Sequence, residues 1–203
     1  MIKIAIIGSG GHTRALIGLV KDLFDHQEIA IYDDSFKDDG ETIDSIPLVG
    51  RVEDVQSYQT VILSTGDNNL RKKYFLQFGQ SIINCNLYHG SCIREENAVL
   101  GQSNQFLANS YIGSEVKIKN NNIINSGVII EHESTIGSHN HIAVGARICG
   151  RVLIGDSCLI GAGSVILDGI HICDNVTVGA GSVVIRDILE PGVYVGSPAV
   201  KIK

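Results

Sequence analysis

Cut into sixes from Ile112, residues 112–184 read IGSEVK IKNNNI INSGVI IEHEST IGSHNH IAVGAR ICGRVL IGDSCL IGAGSV ILDGIH ICDNVT VGAGSV V. Each segment opens on Ile or Val, at thirteen consecutive positions without one insertion, and Phe106 and Leu100 extend the series backward. The next residue is Gly at 101, 113, 137, 155, 161 and 179, and the fourth after the repeat residue is mostly small or β-branched, as at Ser110, Val128, Ala146, Cys158 and Ser182. Because six is a multiple of two, every repeat residue points to the same side of its strand, and a continuous inward column needs coils stacked at about 4.8 Å. Gly, Asn and Asp between the strands are expected to supply corners with positive φ or side chains bonded to their own backbone. The pattern predicts a parallel β-helix of hexapeptide repeats over 87–203. A narrow prism also accounts for the absence of Trp.

Residues 1–86 carry a different signal. Ile2 to Ile7 is almost wholly apolar, as a strand covered on both faces is. Gly8-Ser9-Gly10-Gly11-His12 follows, and Thr13 to Phe24 places Ala15, Leu16, Leu19, Val20 and Leu23 at helical spacing. A second strand, Ile29 to Tyr32, ends in Asp33-Asp34. A third, Val61 to Leu63, leads through Gly66-Asp67-Asn68 into a helix with Arg71, Lys72 and Lys73, read as a solvated basic face; Ile82-Ile83 reads as a last strand. Alternating strands and helices predict a small parallel α/β unit of Rossmann-like type. Its glycine-rich turn suits a phosphate at a helix N-terminus, and acidic residues at the next strand tip suit a ribose or base. Thr13 stands where the dinucleotide pattern G-x-G-x-x-G has its third Gly, which favours a single nucleotide; a plain tight turn is the other reading.

Composition narrows the classes. Across 203 residues the formal net charge is −6, against a nucleic-acid footprint. No apolar run reaches the ~18 residues of a membrane span, and the opening MIKIAIIGSGG reads as a strand rather than a secretory signal. The five Cys form no C-x-x-C pair and suit free thiols in a reducing cytoplasm. Cys149, Cys158 and Cys173 are expected as small core fillers, and His26, His89 and His171 as surface residues. Chemistry concentrates at Glu131-His132-Glu133, with His139 and His141 close behind. A corner His between carboxylates has the makings of a general base, and equally those of a solvated turn. Three converging His would instead hold zinc, but no third His follows at suitable spacing, so no metal is expected.

The repeat resembles the hexapeptide-repeat acyltransferases, and the whole chain is similar to the sialic-acid O-acetyltransferase-related (NeuD) group. Within it the chain is most similar to nucleotide-sugar 4-amino N-acetyltransferases of the PglD type. Gly10-Gly11-His12, Asp33-Asp34, Gly66-Asp67-Asn68, Asn125-Ser126, Glu131-His132-Glu133, the stretch from His141 to Gly150 and the tail from Gly192 to Ala199 carry the likeness. It implies a left-handed, three-sided prism with 18 residues per coil, a homotrimer with active sites between subunits, and acetyl-coenzyme A as co-substrate. It implies His132 as general base, Glu133 as the carboxylate that increases its basicity, and the Gly150 N–H, one coil on, at the oxyanion. It implies His141 at the acetyl thioester, and Ala162 and Ala180 along the coenzyme A groove. Gly10, Gly11, His12, Asp33, Asp34 and Gly66 would bind the nucleotide of a UDP-4-amino-4,6-dideoxy sugar. O-acetylation of a sialic-acid-type hydroxyl is the alternative. Ser9-Gly10, Asp67 and Arg151 depart from the family pattern.

Overall fold

The computed structural model describes residues 3–57 and 59–203 and divides into two compact units, Met1–Leu87 and Tyr88–Lys203. In the first, β1 (Ile4–Ile7), β2 (Ile29–Tyr32), β3 (Thr42–Ile43), β4 (Ile46–Gly50) and β5 (Thr60–Leu63) form one sheet in the order β3-β4-β2-β1-β5. β1 lies between β2 and β5, parallel to both, and every residue of β1 and β2 is buried. α1 (Gly11–Leu23) buries Thr13, Leu16, Ile17, Leu19 and Val20, and α2 (Asn68–Phe78) follows β5. Ile2 of the expected first strand lies outside the described residues.

Two sequence expectations are corrected here, and one hairpin is added. Ile82-Ile83 is no strand: it makes one bridge, Val61 to Ile82, and one bond from the Ile83 N–H to the Val61 carbonyl. The hairpin of β3 and β4 was not anticipated. Its two-residue loop, Asp44-Ser45, has φ of 47° and 68°, the signature of a type I′ turn, which Asp-Ser encodes far more weakly than Asn-Gly. Arg71 is not part of a solvated face but wholly buried.

The second unit is a left-handed parallel β-helix. Its strands are two or three residues long until the tail, and they stack into three sheets. One runs through Ile93, Tyr111, Ile129, Arg147, Val165 and Val183, the next through Val99, Lys117, Thr135, Leu153 and His171, and the third through Gln105, Ile123, His141, Leu159 and Thr177. Partners within these sheets are 18 residues apart, so three hexapeptides make one coil. The repeat residues from Phe106 to Val184 fill the interior at 3% exposure or less. Truncating one such Ile to Ala typically costs about 2–5 kcal/mol. The tail returns as Gly192–Val195, parallel to Val176–Val178 and antiparallel to Val200–Lys201.

The corners obey the same clock, and Gly127, Gly145, Gly163, Gly169 and Gly181, with Asn109, Asn121 and Asn175, take positive φ there as expected. Positive φ of 55–73° recurs at every sixth residue from Ser103 to Gly181, fourteen times, always three places after a repeat residue. The Gly directly after the repeat residue is needed for a different reason. At Gly161 a Cβ would stand 2.5 Å from the Ala180 nitrogen of the next coil. Asn122, Asn140, Asp156 and Asp174 likewise bond the neighbouring coil, whereas Asn125 bonds the N–H next along its own backbone. Asn122 accepts from its own column through Asn140, whose N–H donates to Asn122 Oδ1 at 2.8 Å. Asn140 Oδ1 in turn accepts the Cys158 N–H at 2.6 Å. With Asn104 they form a fully buried ladder along one inner edge of the prism.

Candidate active site

Each corner of the prism treats its backbone differently. The residue two places after the repeat position turns its N–H away from the next coil. At one corner side chains close those donors: Asn120 accepts from Gln102, Ser138 from Asn120, Asp156 from Ser138 and Asp174 from Asp156. At a second corner the column is Ser126, Val144, Ala162 and Ala180. Ala162 and Ala180 are exposed, and the N–H groups of Val144, Ala162 and Ala180 have no partner among the described residues. A surface of small residues and open donors is suited to an extended polar ligand lying against backbone.

The third corner holds His132. Its Nδ1 lies 3.0 Å from Glu133 Oε2, with both side chains about half exposed. Glu133 has φ of 59°, the general corner geometry of this prism rather than a local strain. His132 rests on Gly150 of the next coil: a Cβ there would stand 2.6 Å from Cε1, 2.7 Å from Nε2 and 3.0 Å from Asp168 Oδ2. Gly150 is buried, and its N–H has no partner among the described residues. With Nδ1 engaged by a carboxylate, Nε2 is left as the acceptor beside Gly150, so the base and a candidate oxyanion donor belong to one corner. Arg151 bridges the carboxylates on the rim: its Nη2 lies 2.6 and 2.8 Å from the two Asp168 oxygens, and its Nη1 lies 3.8 Å from Glu133 Oε2. Burial, with the Asp168 and Glu131 carboxylates, pushes the neighbouring Cys149 thiol up, so it is no ready nucleophile.

His141 is not brought to His132. It lies on the strand of the third sheet, beyond a different corner, and Asn125 Nδ2 faces its Nε2 at 3.2 Å while Asn125 Oδ1 accepts the Ser126 N–H. His139 is buried at a corner with its Nδ1 2.8 Å from Asn121 Nδ2. Among the described residues no three His, Cys, Asp or Glu side chains are grouped to hold a metal ion.

In the first unit the expected nucleotide residues share one edge of the sheet. Gly10 caps α1, Gly11 and His12 begin it, Asp33-Asp34 follow β2 and Gly66 follows β5. A Cβ at Gly10 or Gly11 would meet nothing within 4 Å, and the first turn of α1 holds no acidic residue, so a phosphate has both space and an uncompensated helix terminus. Asp33 Oδ2 accepts the Ser9 N–H at 2.8 Å and Oδ1 the Ser35 N–H; these bonds outweigh its burial and lower its pKa. Asp34 takes the Tyr74 hydroxyl at 3.1 Å. Thr13, in the third-glycine position, is buried and bonds the Gly8 carbonyl and Ser64 Oγ, tying α1 to the strand ends through a side chain where the dinucleotide fold packs glycine. Asp67 caps α2 by accepting the Leu70 N–H at 2.7 Å, a structural reason for the departure at that position. Sequence reasoning missed Arg71. It reaches the carbonyls of Thr65 and Gly66 and Asn68 Oδ1, and so shapes the Gly66 loop from beneath. Only its place one turn after the Asp67 cap hints at this.

Comparison with known proteins agrees with both halves. Residues 3–78 match the PglD N-terminal domain, and residues 151–186 match the hexapeptide repeat of succinyl-transferase. The acetyltransferase domain of PglB from Neisseria gonorrhoeae FA1090 is similar over 100% of both chains, with 24% identity and a TM-score of 0.91. Its complex with acetyl coenzyme A superposes at 0.89 over 98% of each chain. PerB from Caulobacter crescentus, solved with CoA and GDP-perosamine, is 25% identical, with a TM-score of 0.85 over 99% of this chain and 97% of that one. Fold and site define a transferase in which a Rossmann-like unit precedes a hexapeptide-repeat prism. Within that class the chain is an acetyltransferase, and its residues 3–78 match the PglD N-terminal domain.

Proposed function

We propose that this protein transfers the acetyl group of acetyl-coenzyme A to the amino group of a nucleotide-linked sugar, of the UDP-4-amino-4,6-dideoxy kind, in cytoplasmic glycan biosynthesis. The observation that carries this reading is the His132–Glu133 pair lying over Gly150, whose N–H has no partner among the described residues. The neutral amine attacks the thioester carbonyl, and a C–N bond forms as the oxygen gains charge. The Gly150 N–H accepts that charge by donating to the oxyanion, and His132 Nε2 takes a proton from the nitrogen. Glu133 fixes the Nδ1–H tautomer and steadies the imidazolium. Collapse breaks the C–S bond, and the departing thiolate takes the proton from His132, which balances amine plus thioester against amide plus thiol.

His141 sits too far round the prism to serve the same His132, so it meets the thioester from a second copy. A homotrimer places one active site between each pair of subunits. Ala162 and Ala180 then offer backbone donors to coenzyme A, and Gly10, Gly11, His12, Asp33, Asp34 and Gly66 hold the nucleotide diphosphate. The complexes of the similar proteins with acetyl coenzyme A, and with CoA and GDP-perosamine, support both ligand classes. The test is thiol release from acetyl-coenzyme A across UDP-, dTDP- and GDP-linked amino sugars. His132→Ala is expected to lower kcat by roughly 10²–10⁴-fold with little change in KM. Near-normal turnover in that variant would falsify the assignment.

A further inference from the structure

His132 Nε2 and Asp168 Oδ2 lie within 3.0 Å of one point, the place where Gly150 lacks a Cβ. Nothing in the roles proposed above uses Asp168. Its carboxylate is not free to turn away, because Arg151 Nη2 holds both oxygens, at 2.6 and 2.8 Å. The corner therefore brings two held acceptors, an imidazole nitrogen and a carboxylate oxygen, close enough to each other for one incoming atom to bond both.

We infer that Asp168 is the residue that reads the acceptor as an amine rather than a hydroxyl. This deepens the proposed function and rests on His132 being the base. An amino sugar arrives as an ammonium ion and sheds one proton to solvent on binding. The remaining two N–H groups match two acceptors: one points to Nε2 and is given up as the C–N bond forms, and the other stays on the amide and donates to Asp168. Holding that second hydrogen aims the nitrogen lone pair at the thioester. A hydroxyl has one hydrogen. Once it donates to Nε2, its oxygen lone pair faces the Asp168 carboxylate, so the same pair of acceptors that aligns an amine repels an alcohol. Arg151 acts as a positioning residue that holds the carboxylate.

The test uses the full chain, acetyl-coenzyme A, and two acceptors: a nucleotide-linked 4-amino sugar and its 4-hydroxyl counterpart. Asp168→Ala is expected to lower kcat/KM for the amine about 10–100-fold and to leave or raise the slow rate with the hydroxyl, so that the amine-to-hydroxyl ratio collapses. Asp168→Asn, close to isosteric, gives the same direction should the Ala variant fold poorly. Arg151→Gln removes the ion pair but keeps the carboxylate, now free to turn; it is expected to lower the amine-to-hydroxyl ratio in the same direction as the Asp168 variants but less, by about threefold. An unchanged ratio in both Asp168 variants, or a ratio that rises in the Arg151 variant, overturns the inference. Full activity of His132→Ala instead overturns the base assignment beneath it, a separate outcome.

Discussion

The His132 imidazole rests on Gly150, whose absent Cβ would lie 2.6 Å from Cε1 and 2.7 Å from Nε2. The contact is with the far end of a half-exposed side chain, so a methyl group there displaces the ring outward and leaves the coil intact. Gly150→Ala is therefore expected to cost kcat about 10²-fold or more while the melting temperature moves by a few degrees at most. Thiol-release kinetics and thermal unfolding on the same preparation decide it. A variant that melts early and still turns over would mean the glycine serves packing alone.

Asn140 joins three coils. Its Nδ2 reaches the Gly155 carbonyl at 2.9 Å, its N–H reaches Asn122, and its Oδ1 holds the Cys158 N–H. Asn140→Ala removes the bonds to the buried Cys158 N–H and the part-buried Gly155 carbonyl, at roughly 1–3 kcal/mol each. Denaturant unfolding should show a loss of about 2–4 kcal/mol with an unchanged m-value. A loss below ~1 kcal/mol would show that water enters the ladder in its place.

Arg71 shapes the Gly66 loop and is shielded from any ligand. Arg71→Met keeps much of its volume and frees the loop carbonyls. The expected result is a KM for the nucleotide sugar raised about tenfold, with kcat and the KM for acetyl-coenzyme A little changed, because the loop contributes ground-state binding only. A fall in kcat at saturating substrate would contradict this.

Tyr74 is pushed up from 10.0 to about 12 by burial, with the Asp34 carboxylate adding to the shift. A folded-state pKa above the unfolded one gives stability that is fully present below pH 10.0 and is lost as pH rises through about 12. Alkaline unfolding curves should therefore steepen in that window for the parent protein and be flatter for Tyr74→Phe. Identical curves would exclude Tyr74 as the group responsible.

The prism was legible because one physical demand, an inward side chain on every short strand, repeats from Ile112 to Val184 and leaves an uninterrupted record. The Rossmann-like unit was legible where burial on both faces makes strands continuously apolar, as in β1 and β2, and illegible where the chain turns on Asp44-Ser45. Glycine with positive φ was legible at corners such as Gly127 and Gly145; the reason for the Gly directly after the repeat residue was not. The need at Gly161 is the proximity of a coil 18 residues on, which no local window contains. Arg71 failed for the same reason: charge alone argues for solvent, and only the loop folding over it supplies the carbonyls that make burial tolerable. At the candidate site, Glu131-His132-Glu133 announced itself by composition. Asp168 did not, since its bearing on His132 exists only through two successive coils and the missing side chain of Gly150.

The three corners have one geometry and three chemistries: side-chain acceptors that close the donors, small residues that leave them open, and the acid–base group of His132. Tolerance to substitution should follow that division. A saturation scan across residues 103–181 would show every sixth residue intolerant for packing, but the response of turnover would recur only at every eighteenth, along single edges. Such a chain is spelled in one rhythm and used in another, three times slower. Chemistry can thus be rewritten along one edge by point changes while the other two keep their occupants, and a rewritten edge could slide by a whole coil without disturbing the register that holds the prism together.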